Sequence, residues 1–484
     1  MKALKRREFL RVSAAALGVG VLAACQPKVV EVTKVVEVEK VVKETVVVEK
    51  EAAPVKAVLE GKTGVLWGIS YEHHIKAYER CCKLFTEQTG CDMKIEPESG
   101  TDKFIAALAA GNPPDIECLM GKALTPLLIR DLLMPMEDAV FAPMGVTNES
   151  WWGDAGQAYE WKGKHWGVPL EANNCAQCVN VPVDDMEALG LRDQYPPHLE
   201  FDPPMVFFES YENMWELARK LQVEEDGVVV KWGLSSKGWD GGTYLSILRS
   251  LLADEGTDWY DEGKDQFNID TEAGVLAMQM HVETPVKMGI ETELDVNQVD
   301  ALLAGKAALG RGNLGPSTAQ GRELGYNYMV AGCPKINGKL PLFAGEGGWG
   351  FIAAREAKNL DISVEFLKMM CTTPGQVAFS RIYGGSVSPA WAGLANVFDH
   401  YADPTSGSPT VLNGRLNQVY LAPQTTYFGI GYNYTLGVCD GAAWELCSEV
   451  RKGAMDSATA CKEYQNRCEK AYEQYKEDVI AFGA

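Results

Sequence analysis

The chain is 484 residues long, 46% apolar and 23% charged, with a formal net charge of −21 at pH 7. That length exceeds one typical domain and suits two lobes with separate cores, and the composition is that of an ordinary globular protein. A surface this acidic repels polyanions, which excludes nucleic acid as a natural partner.

The first 25 residues join a basic stretch, Lys5-Arg6-Arg7-Glu8-Phe9-Leu10, to an apolar run from Ala14 to Ala24 that closes on Leu22-Ala23-Ala24-Cys25. The run is about half of the roughly 20 residues that a membrane-spanning helix needs, so a cleaved leader is expected. It resembles a twin-arginine export signal ending in a lipobox. That resemblance implies that Cys25 is acylated and becomes the new N-terminus, anchoring the protein by lipid outside the cytoplasmic membrane. Five basic side chains against Glu8 in the leader leave the remaining 459 residues near −25.

From Gln26 to about Glu60, Val-Val and Glu/Lys recur roughly every six residues, as in Val29-Val30-Glu31-Val32 and Val35-Val36-Glu37-Val38. That period matches neither helix nor strand, and without aromatic residues or turn signals the segment builds no core. Residues 26–60 therefore read as a disordered or extended tether, with a coiled-coil spacer as the alternative.

Past the tether, Gly64-Val65-Leu66-Trp67-Gly68 reads as a first strand. A helix follows over Glu72 to Gln88, with Ile75, Tyr78, Cys82 and Phe85 near helical spacing. Next come a strand at Cys91 to Ile95, a helix at Lys103 to Ala110, and a strand at Asp115 to Met120 after Pro113-Pro114. Strand and helix alternate as in parallel α/β units, whose ligands sit at the carboxyl ends of the strands. Further on, Tyr211 to Leu221 reads as a helix and Trp239-Asp240-Gly241-Gly242 as a glycine-rich aromatic loop. Gly441 to Ile480 reads as helix, with Cys447, Val450, Met455, Tyr464 and Tyr472 as buried points.

Four blocks carry a family resemblance. They are Phe104 to Ile116 with its Ala-Gly-Asn-Pro-Pro-Asp core, Lys162-Gly163-Lys164-His165-Trp166-Gly167-Val168-Pro169-Leu170, Ala304-Gly305-Lys306-Ala307-Ala308-Leu309, and Ala357 to Gln376. In this order the chain is similar to the extracellular solute-binding lipoproteins of ABC importers, in the sugar-binding branch that includes maltose-binding proteins. The resemblance implies an α/β fold of the two-lobe, type II periplasmic-binding-protein kind, with the solute enclosed as the lobes close about a hinge. On that pattern lobe 1 spans 61–170 plus 340–388 and lobe 2 spans 171–339 plus 389–484. Crossings are expected near Leu170 to Asn174, Pro334 to Phe343 and Gly384 to Pro389.

A sugar offers apolar C–H faces to indole or phenol rings and hydroxyls to paired polar groups. At the expected strand ends, crossings and interlobe loops the candidates are Trp67, Tyr71, Glu171, Asn173, Asn174, Trp239, Asp240, Arg311, Asn313 and Trp349. The resemblance adds Lys122, after the strand that follows Pro-Pro-Asp, and Glu346, in Gly345-Glu346-Gly347-Gly348-Trp349-Gly350. It departs from the family at Cys175-Ala176-Gln177-Cys178, where an aromatic-rich strand is usual, and after Ala-Ala-Leu-Gly, where Arg311 and Asn313 replace an aromatic. A tryptophan is more often packed than used as a platform, and Trp151, Trp152, Trp161 and Trp166 are assigned to packing.

The chain has no Gly-x-Ser-x-Gly elbow, phosphate loop or His-Glu-x-x-His, so neither an enzyme nor a cofactor or metal is expected. His73-His74 reads as a solvated helix start. Cysteine outside Cys25 numbers twelve. Cys461 and Cys468 lie seven apart on one helix, and Cys175 and Cys178 three apart in an extended strand, both pairs too far apart to bridge, so long-range pairs are favoured over local ones, with burial as small core residues the alternative. The resemblance implies a monomeric, lipid-anchored receptor that captures a neutral solute, a carbohydrate, for permease subunits. The alternative is an extracytoplasmic sensor that presents its ligand to a signalling partner.

Overall fold

The computed structural model describes residues 56–483 apart from 71, 152–154, 173–177, 196–207, 262, 313–326, 346–347, 381–387, 393–424 and 428–429. The leader, Cys25 and nearly all of the tether lie outside the described residues. Along the chain the elements that build the fold are β1 (Thr63–Trp67), α1 (Glu72–Thr89), β2 (Asp92–Glu96), α2 (Thr101–Ala109), β3 (Ile116–Met120), β4 (Val168–Pro169), β5 (Glu171–Ala172) and β6 (Cys178–Pro182). They continue with α3 (Tyr211–Leu221), β7 (Val223–Glu225), β8 (Val228–Ser235), α4 (Asp240–Leu252), β9 (Ala307–Gly312), β10 (Tyr328–Gly332) and β11 (Trp349–Ile352). The last are α5 (Leu360–Met370), α6 (Thr373–Ser380), β12 (Ser388–Pro389), α7 (Ile430–Arg451) and α8 (Ser457–Phe482).

Two five-stranded sheets, each with its own apolar core, make two lobes. In the first the order is β2-β1-β3-β11-β4, with β1 parallel to β2 and β3, and β11 antiparallel to β3 and β4. The first four residues of β3 are all buried, as befits a strand flanked on both edges and covered on both faces. Leu66, Tyr78, Phe85, Phe104, Leu119, Phe351 and Phe366 meet in its core. In the second lobe the order is β10-β6-β9-β8-β7, with β8 parallel to β9 and β6 antiparallel to both its neighbours. Its core gathers Val181, Tyr211, Trp215, Tyr244, Leu248, Trp259, Leu309, Leu446 and Tyr464. Each such large apolar side chain contributes about 1.5–3 kcal/mol by leaving water.

The helices follow their sequence patterns. In α3 the Ser210 hydroxyl accepts the Asn213 N–H at the N-terminus, and Tyr211, Met214, Trp215, Ala218 and Leu221 face the core. The C-terminal stretch read as helical is an antiparallel pair, α7 and α8, broken at Gly453, whose φ is 71°. Asp456 caps α8 through the Thr459 N–H at 2.7 Å, and Ala460, Cys461, Tyr464, Cys468 and Ala471 form its buried stripe. Cys447, Val450 and Tyr464 are buried and Met455 and Tyr472 partly so, as their spacing predicts.

One loop assignment changes. Trp239 to Gly242 is no loop, because α4 begins at Asp240 and runs through both glycines. The packing of α4 into the lobe 2 core outweighs the low helix propensity of Gly241 and Gly242.

The lobes join where β5 pairs antiparallel with β12, Ala172 opposite Ser388 and Glu171 opposite Pro389. Although α7 and α8 belong to the second core, α7 also packs on the Gly121–Ala123 turn and the short helix Thr125–Leu128 of the first. At the far end of α8, Phe482 lies 4.5 Å beneath the Arg130 guanidinium. Among the described cysteines nine are buried free thiols, Cys461 included, and Cys468 is disulfide-bonded. Cys461 and Cys468 are therefore unbridged, as their spacing requires. Among the described residues no helix is long and apolar enough to cross a membrane.

Candidate functional site

Parallel α/β units leave their loops and helix N-termini at the carboxyl edge of the sheet, where ligands bind. At that edge of lobe 1, Trp67 is the last residue of β1, half-buried, and its indole N–H donates to the Glu96 carboxylate at the end of β2 over 2.8 Å. β3 ends at Met120 and passes into the Gly121–Ala123 turn, which carries Lys122. Because β11 runs antiparallel to β3, its first residue, Trp349, lies opposite Met120 at the same edge. The Trp349 ring meets His74 edge-on at 5.2 Å, and His74 is buried against Tyr78 and Phe379 as well. The solvated helix start expected at His74 is thus corrected: the first turn of α1 is tucked under β11.

In lobe 2, β8 ends at Ser235 and leads to Trp239, also half-buried, which lies over Gly312 at the end of β9. A Cβ on Gly312 would fall 2.6 Å from the indole, and its φ is +131°, so only glycine lets the ring settle there. The sheet edges of the two lobes thus carry Trp67, Trp349 and Trp239, each partly open to solvent. Trp151 and Trp166, assigned to packing, are buried.

The polar candidates differ in their surroundings. Asp240 is 1% exposed. Its Oδ1 receives the Arg451 guanidinium and the His281 ring nitrogen, the latter at 2.9 Å. Burial works against ionisation, yet Arg451 and then His281 hold the carboxyl at about 2. Burial in turn lowers His281 to about 4, against the pull of Asp240. Arg451 also reaches the Ser236 hydroxyl at 3.0 Å and Glu291 at 3.2 Å. Asp240 thereby fastens the C-terminus of α7 to the start of α4, and its carboxylate is engaged within the lobe. Asp240, His281 and Cys447 bring one ligand atom each within 4.8 Å of one another. The guanidinium on Asp240 Oδ1 occupies the place a cation would take, so this trio is not a metal centre. Arg311 is 1% exposed, stacks 4.7 Å over the Tyr211 ring and donates to its hydroxyl. It supports the end of β9 from behind.

Glu171, in the crossing strand, is buried, and burial pushes its carboxyl up to about 8 against the pull of the Trp349 backbone N–H. Its Oε1 meets no hydrogen-bond partner. Glu117 in β3 behaves similarly: burial raises it to about 8 against the Gly100 N–H, which donates to Oε1 at 3.1 Å. Both carboxyls are neutral at pH 7.

Tyr71, Asn173, Asn174, Asn313 and Glu346 lie outside the described residues. Sequence reasoning missed His74, Glu117, Ser236, Glu291 and Arg451 at this edge. Two had a signal: Glu117 sits inside the apolar run Ile116 to Met120, and Arg451 continues the apolar stripe Ala443, Leu446, Cys447, Val450. A charged residue on a buried stripe marks a paired or protonated group.

Solved structures share this fold at low identity. The glycerophosphocholine complex of UgpB from Mycobacterium tuberculosis superposes with a TM-score of 0.66 at 15% identity, covering 88% of this chain and 99% of that one. The GacH receptor of Streptomyces glaucescens, studied with acarbose, gives 0.64 at 18%, covering 86% and 99%. The maltodextrin-binding domain MalE of Bdellovibrio bacteriovorus, bound to maltotriose, gives 0.62 at 16%, covering 84% and 99%. No curated protein matches the chain by sequence. The family pattern described as bacterial extracellular solute-binding protein matches residues 81–403, two thirds of the chain. With two α/β lobes and the fold of these receptors, the chain belongs to the bacterial extracellular solute-binding proteins.

Proposed function

We propose that this protein is the receptor of an ABC importer and captures a neutral carbohydrate between its lobes, delivering it to permease subunits without covalent chemistry. The observation that carries this reading is the set of three half-buried tryptophans at the carboxyl edges, Trp67 and Trp349 on one lobe and Trp239 on the other. Indole faces suit sugar C–H surfaces, and Lys122 beside them supplies a donor for hydroxyls. The solutes named for two of the structures above, maltotriose and acarbose, are carbohydrates rich in hydroxyls, which supports the same class.

In this reading β5 and β12 are hinge strands, 61–170 plus 340–388 forms one lobe, and 171–339 plus 389–484 forms the other. Closure is driven by the extra contacts the solute makes in the closed form. Cys25 carries the lipid, residues 26–60 tether a monomeric body to the membrane, and the protein works outside the cytoplasm. Isothermal titration calorimetry with maltotriose, glucose, acarbose, glycerophosphocholine, an amino acid and a polyamine tests the solute class. Binding confined to the amino acid or the polyamine overturns it.

A further inference from the structure

We infer that Glu171 is a positioning residue, a proton-bearing latch that ties the hinge strand to the solute-facing edge of lobe 1. The inference rests on reading β5 and β12 as the hinge, and its test uses no solute, so it stands or falls apart from the carbohydrate assignment.

The geometry is local and specific. Leu170 N–H donates to the Trp349 carbonyl at 2.9 Å, and the nearby Trp349 backbone N–H pulls against the upward shift of the Glu171 carboxyl. One residue further, Ala390 N–H donates to the Leu170 carbonyl, bringing the second hinge strand to the same point. Gly348 closes the contact from the other side. Its φ is +41°, and a Cβ there would lie 2.4 Å from the Glu171 carbonyl oxygen. The Gly348 carbonyl is held by the Tyr159 hydroxyl at 3.0 Å and by the Gly121 N–H at 3.2 Å, next to Lys122. The crossing segment, Trp349 and the Lys122 turn are therefore joined through the backbone, with the Glu171 carboxyl buried beneath the junction.

That base tolerates only a neutral carboxyl. The titratable groups facing Glu171 are Cys118 of β3 and the Tyr159 hydroxyl, both raised chiefly by burial and both uncharged near neutral pH; Glu117 faces Cys118 in turn. Among the described residues no cation pairs with Glu171, and its Oε1 is without a partner. Ionisation would place an uncompensated charge in an apolar pocket, and the carboxylate would draw water in by parting β5 from β11. The hinge is tight while the proton stays and loosens when it leaves.

Amide hydrogen exchange of the solute-free protein between pH 6.5 and 9.5, corrected for intrinsic exchange chemistry, tests this on peptides covering Val168–Ala172 and Gly348–Ile352. In the wild type these peptides should lose about tenfold or more of their protection as pH rises through 8, one decade per pH unit being the most a single proton can supply. Glu171→Gln, which keeps shape and neutrality, should retain protection across the range. Glu117→Gln removes the other buried carboxyl of the same sheet and should leave the hinge peptides as sensitive to pH as in the wild type. Flat protection in the wild type overturns the inference, as does an unchanged pH response in Glu171→Gln. Loss of that response in Glu117→Gln alone assigns the latch to Glu117 and overturns it equally.

Discussion

The backbone N–H of Leu170 donates to the carbonyl of Trp349 at 2.9 Å, so the segment that crosses between the lobes and the strand that carries Trp349 are joined at one hydrogen bond. A rotation about the crossing cannot leave the Trp349 edge unmoved, which links hinge geometry to the shape of the candidate site.

Gly348→Ala tests that junction sterically. The new methyl would meet the Glu171 backbone in a conformation only glycine adopts readily, at a cost of about 2–4 kcal/mol. A denaturant midpoint unchanged from the wild type would contradict the packing described.

The two raised carboxyls set a pH dependence. Glu117 and Glu171 have ordinary values of 4.5 and sit near 8 in the folded protein, which therefore holds more protons than the unfolded chain between those limits. Stability should be highest below about pH 4.5 as far as these groups are concerned, and should fall as pH rises towards 8, each contributing a slope of about 1.4 kcal/mol per pH unit at most. Glu117→Gln should remove roughly half of that slope in melting curves between pH 5 and 9, and a slope equal to that of the wild type would refute the burial-driven shift.

Arg451 pairs with both Asp240 and Glu291 inside lobe 2. Arg451→Met leaves two buried carboxyls without their cation and should destabilise by about 3–5 kcal/mol. Urea unfolding followed by circular dichroism measures this, and a loss below 1 kcal/mol would mean that the network is solvated.

Trp239 is the lobe 2 platform of the proposed site. Trp239→Ala should weaken solute binding by about 2 kcal/mol, roughly thirtyfold, with a smaller effect on stability because the ring is only half-buried. Gly312→Ala should weaken binding too, since the added methyl displaces the ring. Calorimetry with the solute identified by the panel checks both, and unchanged affinity in both variants would remove Trp239 from the site.

Nine buried thiols give a direct readout of the core. Burial pushes Cys81, Cys118, Cys178, Cys371 and Cys447 well up, which lowers the reactive thiolate fraction. In native protein these cysteines should resist a water-soluble alkylating reagent and react together once urea unfolds their lobe, as peptide mapping would show. Rapid native labelling of any one of them would place it at the surface.

Much of the fold was legible because it rests on local pattern. The alternation from Gly64 to Met120 matched β1 to β3 within two residues, since periodicity acts over a single turn or strand, and Tyr211 to Leu221, read beside a loose match to the family pattern, matched α3 end to end. The tryptophans at the sheet edges were legible for the same reason: Trp67 ends an apolar run, and strand ends are where α/β sheets bind ligands. The surroundings of Asp240 and Arg311 were not, because their partners Arg451 and Tyr211 lie 211 and 100 residues away.

By itself the sequence determined the alternation of strands and helices, the apolar stripes that bury, and the four blocks whose order marks the family. Tertiary structure alone decided which carboxyls are charged. Asp240 lies beside a guanidinium and ionises, while Glu117 and Glu171 lie among apolar groups and stay protonated. The physical reason is that charge state depends on the groups a fold brings within a few ångströms, and sequence spacing carries no record of that distance.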